Sequence, residues 1–377
     1  GPGRRGGKNG REGREDMGAS NVSMQALLAE VLRSGASDLH LSVGFPPAFR
    51  LDGRLHMATQ IEPLTTEDLW RYAESVLSTR QLEDIRRNKD LDFSFGYTPP
   101  TGEGARFRGN CYYERSNLTM ALRTISNRIR TLKQLGMPPL LTEVAQKSRG
   151  LFLATGPTGS GKSTTLAAII QEINVQRRCH VVTVEDPIEY LFTSERAIIH
   201  QREVGFDTPS FAEALRRVLR QDPDVIMIGE MRDLETVGAA VTAAETGHLV
   251  LSTVHTPDAP QSIDRIVDVF PPHQQNQVRL QLSNILIGLC SQQLIPLPGG
   301  GRLCATEILY ATPAVRNCIR EGKVSQLKSI LQTSLAQGMH TMDQDLARHV
   351  REGRIAMEEA MTYSSDPRDL ERLVFDM

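Results

Sequence analysis

From Asn21 onward the apolar residues fall into short groups whose spacing changes from element to element. Met24 to Arg33 carries them at helical spacing and stops at Gly35, which predicts an amphipathic helix. Ser37 to Ser42 and Pro47 to Leu55 read as short strands, with Asp52-Gly53 at a hairpin turn. Thr65 followed by Asp68 reads as a capping box opening a helix over Glu67 to Leu77. Leu91 to Tyr97, Ala105 to Glu114 and Leu118 to Arg123 read as further strands. Residues 21–128 are therefore expected to form a small α+β domain. A linker over 129–139 ends in Gly136-Met-Pro-Pro139, where two prolines block helix continuation.

Beyond the linker, strands and helices alternate as a doubly wound parallel sheet requires. Leu151 to Ala154 is a short apolar run, and Thr164 to Ile173 reads as a helix. The β-branched run Cys179 to Val184 predicts the next strand. Ser210 with Glu213 opens a helix reaching Arg220, and Val225 to Ile228 reads as a buried strand. A helix of small residues follows from Leu234 to Glu245, then a strand from His248 to Ser252. The expected division is an α/β core over 140–298 and a helical region over 299–377.

The chemistry gathers where these strands end. Gly156 to Ser163 fits G-x-x-x-x-G-K-[ST], placed between a strand and a helix, the context that makes this pattern a phosphate site. Glycines 156, 159 and 161 let backbone N–H groups turn inward around phosphate oxygens, and the helix N-terminus adds partial positive charge. The expected nucleotide contacts are Gly156, Pro157, Thr158, Gly159, Ser160, Gly161, Lys162, Ser163 and Thr164, with Lys162 on the β- and γ-phosphates and Ser163 on Mg²⁺. Ligands of open parallel sheets sit beyond the carboxyl ends of the strands. Glu185, Asp186, Glu230 and His255 follow other strands and should converge on the same crevice. Glu230 is expected to orient or deprotonate water, with Glu185 as the alternative, and His255, supported by His248, to sense the γ-phosphate. Gly229 stands where a metal-binding Asp is usual, so metal ligation is assigned to Ser163, Glu185, Asp186 and Glu230. Asn88-Lys89-Asp90 is not a guanine-reading motif, because its acidic residue comes one place too early.

Composition narrows the partners. The 377 residues carry a net charge of −2, so no global basic field recruits nucleic acid. Five scattered cysteines contain no C-x-x-C pair and suggest neither disulfide nor zinc site. No apolar run reaches the roughly 18 residues of a spanning helix, and the scattered cysteines fit a reducing cytosol. Residues 1–20 are Gly- and Arg-rich, begin with Gly-Pro like a tag remnant, and are expected to be disordered.

Together these residues resemble a known family, the PilT-type retraction ATPases of type IV pili within the GspE/VirB11-like secretion superfamily. The matching segments are Ala36 to Leu41, Gly156 to Ser163, Val184 to Glu189, Gly229 to Asp233, Gly247 to Thr256 and Ile263 to Pro271. The resemblance implies a PAS-like N-terminal domain, a RecA-like P-loop ATPase domain and a homohexamer hydrolysing ATP with Mg²⁺. In that family a Gly in the fourth segment is usual. It further implies a motor for pilus retraction and twitching motility, peripheral to the inner face of the cytoplasmic membrane and acting on an inner-membrane platform protein. A paralogous retraction ATPase is admitted as a further partner, and nucleic acid is not expected. Arginines from the N-terminal domain approach the triphosphate in such rings, which points to Arg106, Arg108 and Arg123. Thr312 to Arg320 resembles the family helix associated with retraction rather than hydrolysis. There Ala314, Val315, Cys318 and Ile319 should face a core, leaving Arg316, Asn317 and Arg320 for a partner or a neighbouring subunit. The rival assignments are an extension or type II secretion ATPase and, more remotely, a RecA-type nucleic-acid translocase.

Overall fold

The computed structural model describes residues 22–51 and 53–375. The N-terminal tail and Asp52 of the expected hairpin turn lie outside the described residues. The chain divides into two compact units between Ser126 and Asn127.

The first unit begins with α1 (Met24–Ser34), β1 (Asp38–Leu41), β2 (Ala48–Leu51) and β3 (Arg54–Met57). It continues through α2 (Thr66–Val76), α3 (Thr79–Asn88), β4 (Asp90–Tyr97), β5 (Ala105–Glu114) and β6 (Asn117–Ile125). The capping box at Thr65 and Asp68 is formed, and a second one, Ser78 with Gln81, opens the unexpected α3. The six strands pair antiparallel in the order β3-β2-β1-β6-β5-β4. Strand periodicity gives the sheet two unlike faces. Leu39, Phe93, Phe107 and Leu122 are buried in one core with Leu28, Val31, Tyr72 and Ile85 of the helices. Asp38, Arg106, Arg108 and Arg123 alternate with those strand residues and so occupy the other face.

The second unit opens with α4 (Pro139–Gln146), β7 (Gly150–Thr155), α5 (Lys162–Gln176), β8 (His180–Glu185) and β9 (Ile198–Glu203). Next come α6 (Phe211–Val218), β10 (Val225–Ile228), α7 (Leu234–Glu245), β11 (Leu249–Val254), α8 (Ala259–Asp268) and α9 (Pro272–Ile285). The hairpin β12 (Leu286–Pro296) and β13 (Arg302–Tyr310) precedes α10 (Pro313–Arg320), α11 (Leu327–Thr333), α12 (Met342–Arg351), α13 (Met357–Tyr363) and α14 (Pro367–Phe375). The sheet order is β13-β12-β7-β11-β10-β8-β9, parallel except for the β12–β13 hairpin. It is doubly wound. Leu151, Leu153, Val182, Ile226 and Val250 face one helical layer, and Phe152, Ala154, Val181, Val225 and Leu251 face the other.

Two expected boundaries shift. Pro139 does not end the linker but is the first residue of α4, where a missing N–H costs nothing, and Leu132 before it is already buried. The sheet does not stop at 298, because β13 pairs with β12 along its whole length and the purely helical part starts at Pro313. All five cysteines are free thiols. Among the described residues no helix is long and apolar enough to cross a membrane.

Candidate functional site

Parallel pairing sends the carboxyl ends of β7, β8, β10 and β11 to one side of the sheet. A cavity of about 520 Å³ lies there, lined by Thr158, Gly159 and Gly161 of the loop, Lys162, Ser163 and Thr164 of α5, and Glu185, Asp186, Glu230 and His255. Four separate strand ends thus deliver their polar residues to one place, as the topology demands.

The loop after β7 is built for an anion. Gly161 takes φ 89° at the amino end of α5 and offers no side-chain cap, so the helix keeps its first N–H groups for a ligand. Gly156 sits at φ 140°, and a Cβ there would come within 2.4 Å of the Gln292 carbonyl oxygen. Lys162 is buried, and its ammonium donates to the carbonyls of Gly156 (2.8 Å) and Pro157 (2.9 Å). Burial lowers its pKa, against the opposing pull of Glu230 and Glu189.

His255 lies between this lysine and the strand-end carboxylate. Its Nδ1 is 3.3 Å from Lys162 Nζ, and its Nε2 is 3.2 Å from Glu230 Oε1. An ammonium has only donors, so Nδ1 accepts and the imidazole proton belongs on Nε2, from which it donates to Glu230. Arg232 Nη2 approaches the other oxygen of Glu230 at 2.5 Å. Burial would raise the Glu230 pKa, but the hydrogen bond from Arg232 and the neighbouring His255 hold it below the usual carboxylate value. Arg232, Glu230, His255 and Lys162 therefore form one continuous polar chain.

Glu185 has a contrasting environment. It is buried, accepts from Thr183 Oγ1 (2.6 Å) and Gln201 Nε2 (3.2 Å), and burial pushes its pKa up to about 7. Two carboxylates on one cavity thus have opposite tendencies, one kept charged and one poised to hold a proton. Asp186 is exposed on the cavity rim. Among the described residues no group of three or more His, Cys, Asp or Glu could hold a metal alone. Ser163, Glu185, Asp186 and Glu230 all line this cavity, and hydroxyl and carboxylate oxygens are the donor types a Mg²⁺ ion would take.

Other expected residues lie elsewhere. His248 precedes β11, at the amino ends of the strands, where its Nδ1 meets the Ala243 carbonyl at 2.9 Å and Thr246 Oγ1 at 3.3 Å. A six-residue strand, about 20 Å at 3.3 Å per residue, separates that end from the cavity, so His248 is no part of this constellation. Arg106 donates to Ser94 Oγ, Arg123 pairs with Asp38 at 2.7 Å, and Arg108 stands opposite Arg123 on the neighbouring strand. All three share the helix-free face of the first unit's sheet. On α10, Val315, Cys318 and Ile319 are buried as expected, whereas Ala314 is exposed. Arg316 is not free for a partner, because its Nη1 donates to the carbonyls of Ser283 (2.5 Å) and Asn284 (3.2 Å) at the end of α9. It lines a second cavity, of about 590 Å³, that includes Gly150 at the start of β7.

Arg232 is a Glu230 partner absent from the sequence-based expectations although it lies two residues away. Also absent from them are Tyr190, whose hydroxyl meets Thr164 Oγ1 at 2.7 Å, and the β12–β13 residues Leu294 and Arg302 on the cavity wall. Arg232 had a local signal, a cation beside a strand-end carboxylate; the others had none.

The family described as type II/IV secretion system protein matches residues 14–362. The chain is 45% identical over 346 residues to the type IV pilus retractation ATPase PilT of Pseudomonas aeruginosa, covering 92% of this chain and 99% of that one. It is 40% identical to the type IV pilus ATPase PilU of the same organism, covering 94% and 91%. A crystal structure of the pilus retraction motor PilT with bound ADP superposes with a TM-score of 0.87 at 46% identity, covering 93% of this chain and all of the other.

Proposed function

The chain belongs to the type II/IV secretion system protein family, and on that premise we propose that it is a homohexameric ATPase whose hydrolysis powers type IV pilus retraction. The observation that carries the chemistry is the continuous chain from Arg232 through Glu230 and His255 to Lys162 at the mouth of the phosphate loop. Likeness to PilT over nearly the whole of both chains supports retraction as the work performed.

In this reading the loop amides, the α5 N-terminus and Lys162 bind the triphosphate. Bound phosphate draws Lys162 from its carbonyl contacts, and His255, tied to both, relays that movement to Glu230. Glu230 orients the attacking water and accepts its proton, while Arg232 and the His255 Nε2–H fix the carboxylate's direction. Mg²⁺, held by Ser163 with Glu185, Asp186 and Glu230 nearby, would neutralise charge developing on the β- and γ-phosphates. Arg106, Arg108 and Arg123 serve the triphosphate across the ring. The motor works from the cytoplasmic face of the inner membrane on the platform protein, with a PilU-like paralogue as a further partner.

The test is complementation of a retraction-deficient strain, alongside the ATPase rate and ring mass of the purified protein. Restored retraction by the wild type and none by Glu230→Gln is the expected result. ATP hydrolysis stimulated by DNA, without restored retraction, would instead favour a translocase.

A further inference from the structure

The phosphate loop leans on β12 at several points. Thr155 Oγ1, at the end of β7, shares a 2.7 Å hydrogen bond with Ser291 Oγ. The next residue of β12, Gln292, is 1% exposed. Its carbonyl oxygen occupies the space a Cβ of residue 156 would need, and its Nε2 lies 3.2 Å from the corresponding position at Gly161. That same Nε2 donates to the Ser160 carbonyl at 2.9 Å. Gln292 does not line the nucleotide cavity, whereas Gly159, Gly161 and Lys162 do.

From this arrangement we infer that Gln292 is a positioning residue for nucleotide binding, acting through the Ser160–Gly161 peptide; the inference rests on reading residues 156–163 as a triphosphate loop. The peptide is planar and trans, so its carbonyl oxygen and the following N–H point in opposite directions. Tying the Ser160 oxygen to Gln292 behind the loop turns the Gly161 N–H away from β12. An amide fixed before the ligand arrives spares the cost of ordering it on binding.

Gln292→Met tests this, because the thioether nearly matches the amide in shape but cannot donate. It removes Gln292 Oε1, a buried acceptor with no partner in the protein, but also leaves the Ser160 carbonyl without its donor, so the melting temperature without nucleotide is measured alongside to separate lost stability from lost affinity. ADP and ATP affinity should fall roughly three- to tenfold, the effect of one lost hydrogen bond, with KM for ATP rising alike and kcat little changed. Gln292→Glu supplies the rescue: its protonated carboxyl can donate, so affinity relative to wild type should recover as pH falls towards about 5.5 and fail as it rises. Unchanged affinity in Gln292→Met, or a loss explained wholly by its unfolded fraction, would overturn the inference. A wild-type protein that binds no nucleotide would overturn the phosphate-loop reading itself, and the inference with it.

Discussion

Replacing Glu230 by Gln removes one negative charge and turns one acceptor into a donor. The carboxylate now serves two donors, Arg232 Nη2 at 2.5 Å and His255 Nε2 at 3.2 Å. The amide can satisfy only one of them through its oxygen, and its NH₂ must face the other. If it faces His255, the imidazole has to move its proton to Nδ1, where that N–H meets the Lys162 ammonium, another donor. The substitution thus disturbs the relay as well as the water. Loss of a positioned general base costs roughly 10²- to 10⁴-fold in turnover. Fold stability should hardly move, because the Arg232 side chain is 75% exposed and such pairs contribute about 1 kcal/mol or less. ATP affinity should be unchanged or slightly better, since a negative charge is removed from the triphosphate's surroundings. Steady-state ATPase, nucleotide titration and melting temperature on one preparation separate these effects. A Glu230→Gln turnover within about fivefold of wild type would refute the assignment. Glu185 would then be the base, recognisable by a rate limb near pH 7 that disappears in Glu185→Gln.

The carboxyls of Glu185 and Glu307, both raised by burial to about 7 from an ordinary 4.5, keep protons in the folded state that the unfolded chain releases. Their contribution to stability should therefore fall as pH rises from about 4.5 to 7 and level off above, while the lowered imidazoles of His40 and His340 act in the opposite sense, so the Glu307 share is read as the difference in urea midpoint between wild type and Glu307→Gln across that range. Arg316→Ala removes the donor to the α9 carbonyls and should lower the melting temperature, whereas Asn317→Ala, exposed on the same helix, should leave melting and ATPase rate intact while retraction stops. Parallel loss of stability and hydrolysis in Asn317→Ala would make α10 structural only. Arg123→Ala should lower stability, because it leaves the Asp38 carboxyl, whose side chain is 10% exposed, without its 2.7 Å partner. Its ATPase rate should nevertheless drop if it reaches a nucleotide in the ring, an idea that full activity in a verified monomer would sink.

What the sequence made legible was local or topological. The phosphate loop announces itself because only glycine suits its backbone, and a strand and helix necessarily flank it. Glu185, Glu230 and His255 were reachable by one topological rule, that parallel strands present ligands at their carboxyl ends. The same rule, applied to a strand beginning near residue 248, would have put His248 at the wrong end. Gln292, Tyr190 and Arg302 were illegible because each touches the site through contacts spanning many residues of chain. Helix α3 was missed although Ser78 and Gln81 cap it, for its sequence is highly polar with Ile85 as its buried residue. Pro139 misled because the same ring that ends a helix also starts one.

Each unit carries a hydrophobic core of its own, one under the antiparallel sheet and others around the parallel one. Each core can then have a transition of its own, and the melting temperature of a variant is read from the transition of the unit that carries the substituted residue. ADP bound on the phosphate loop would shift the transition of the unit that holds it, by mass action. Calorimetry with and without ADP would assign each transition to its unit.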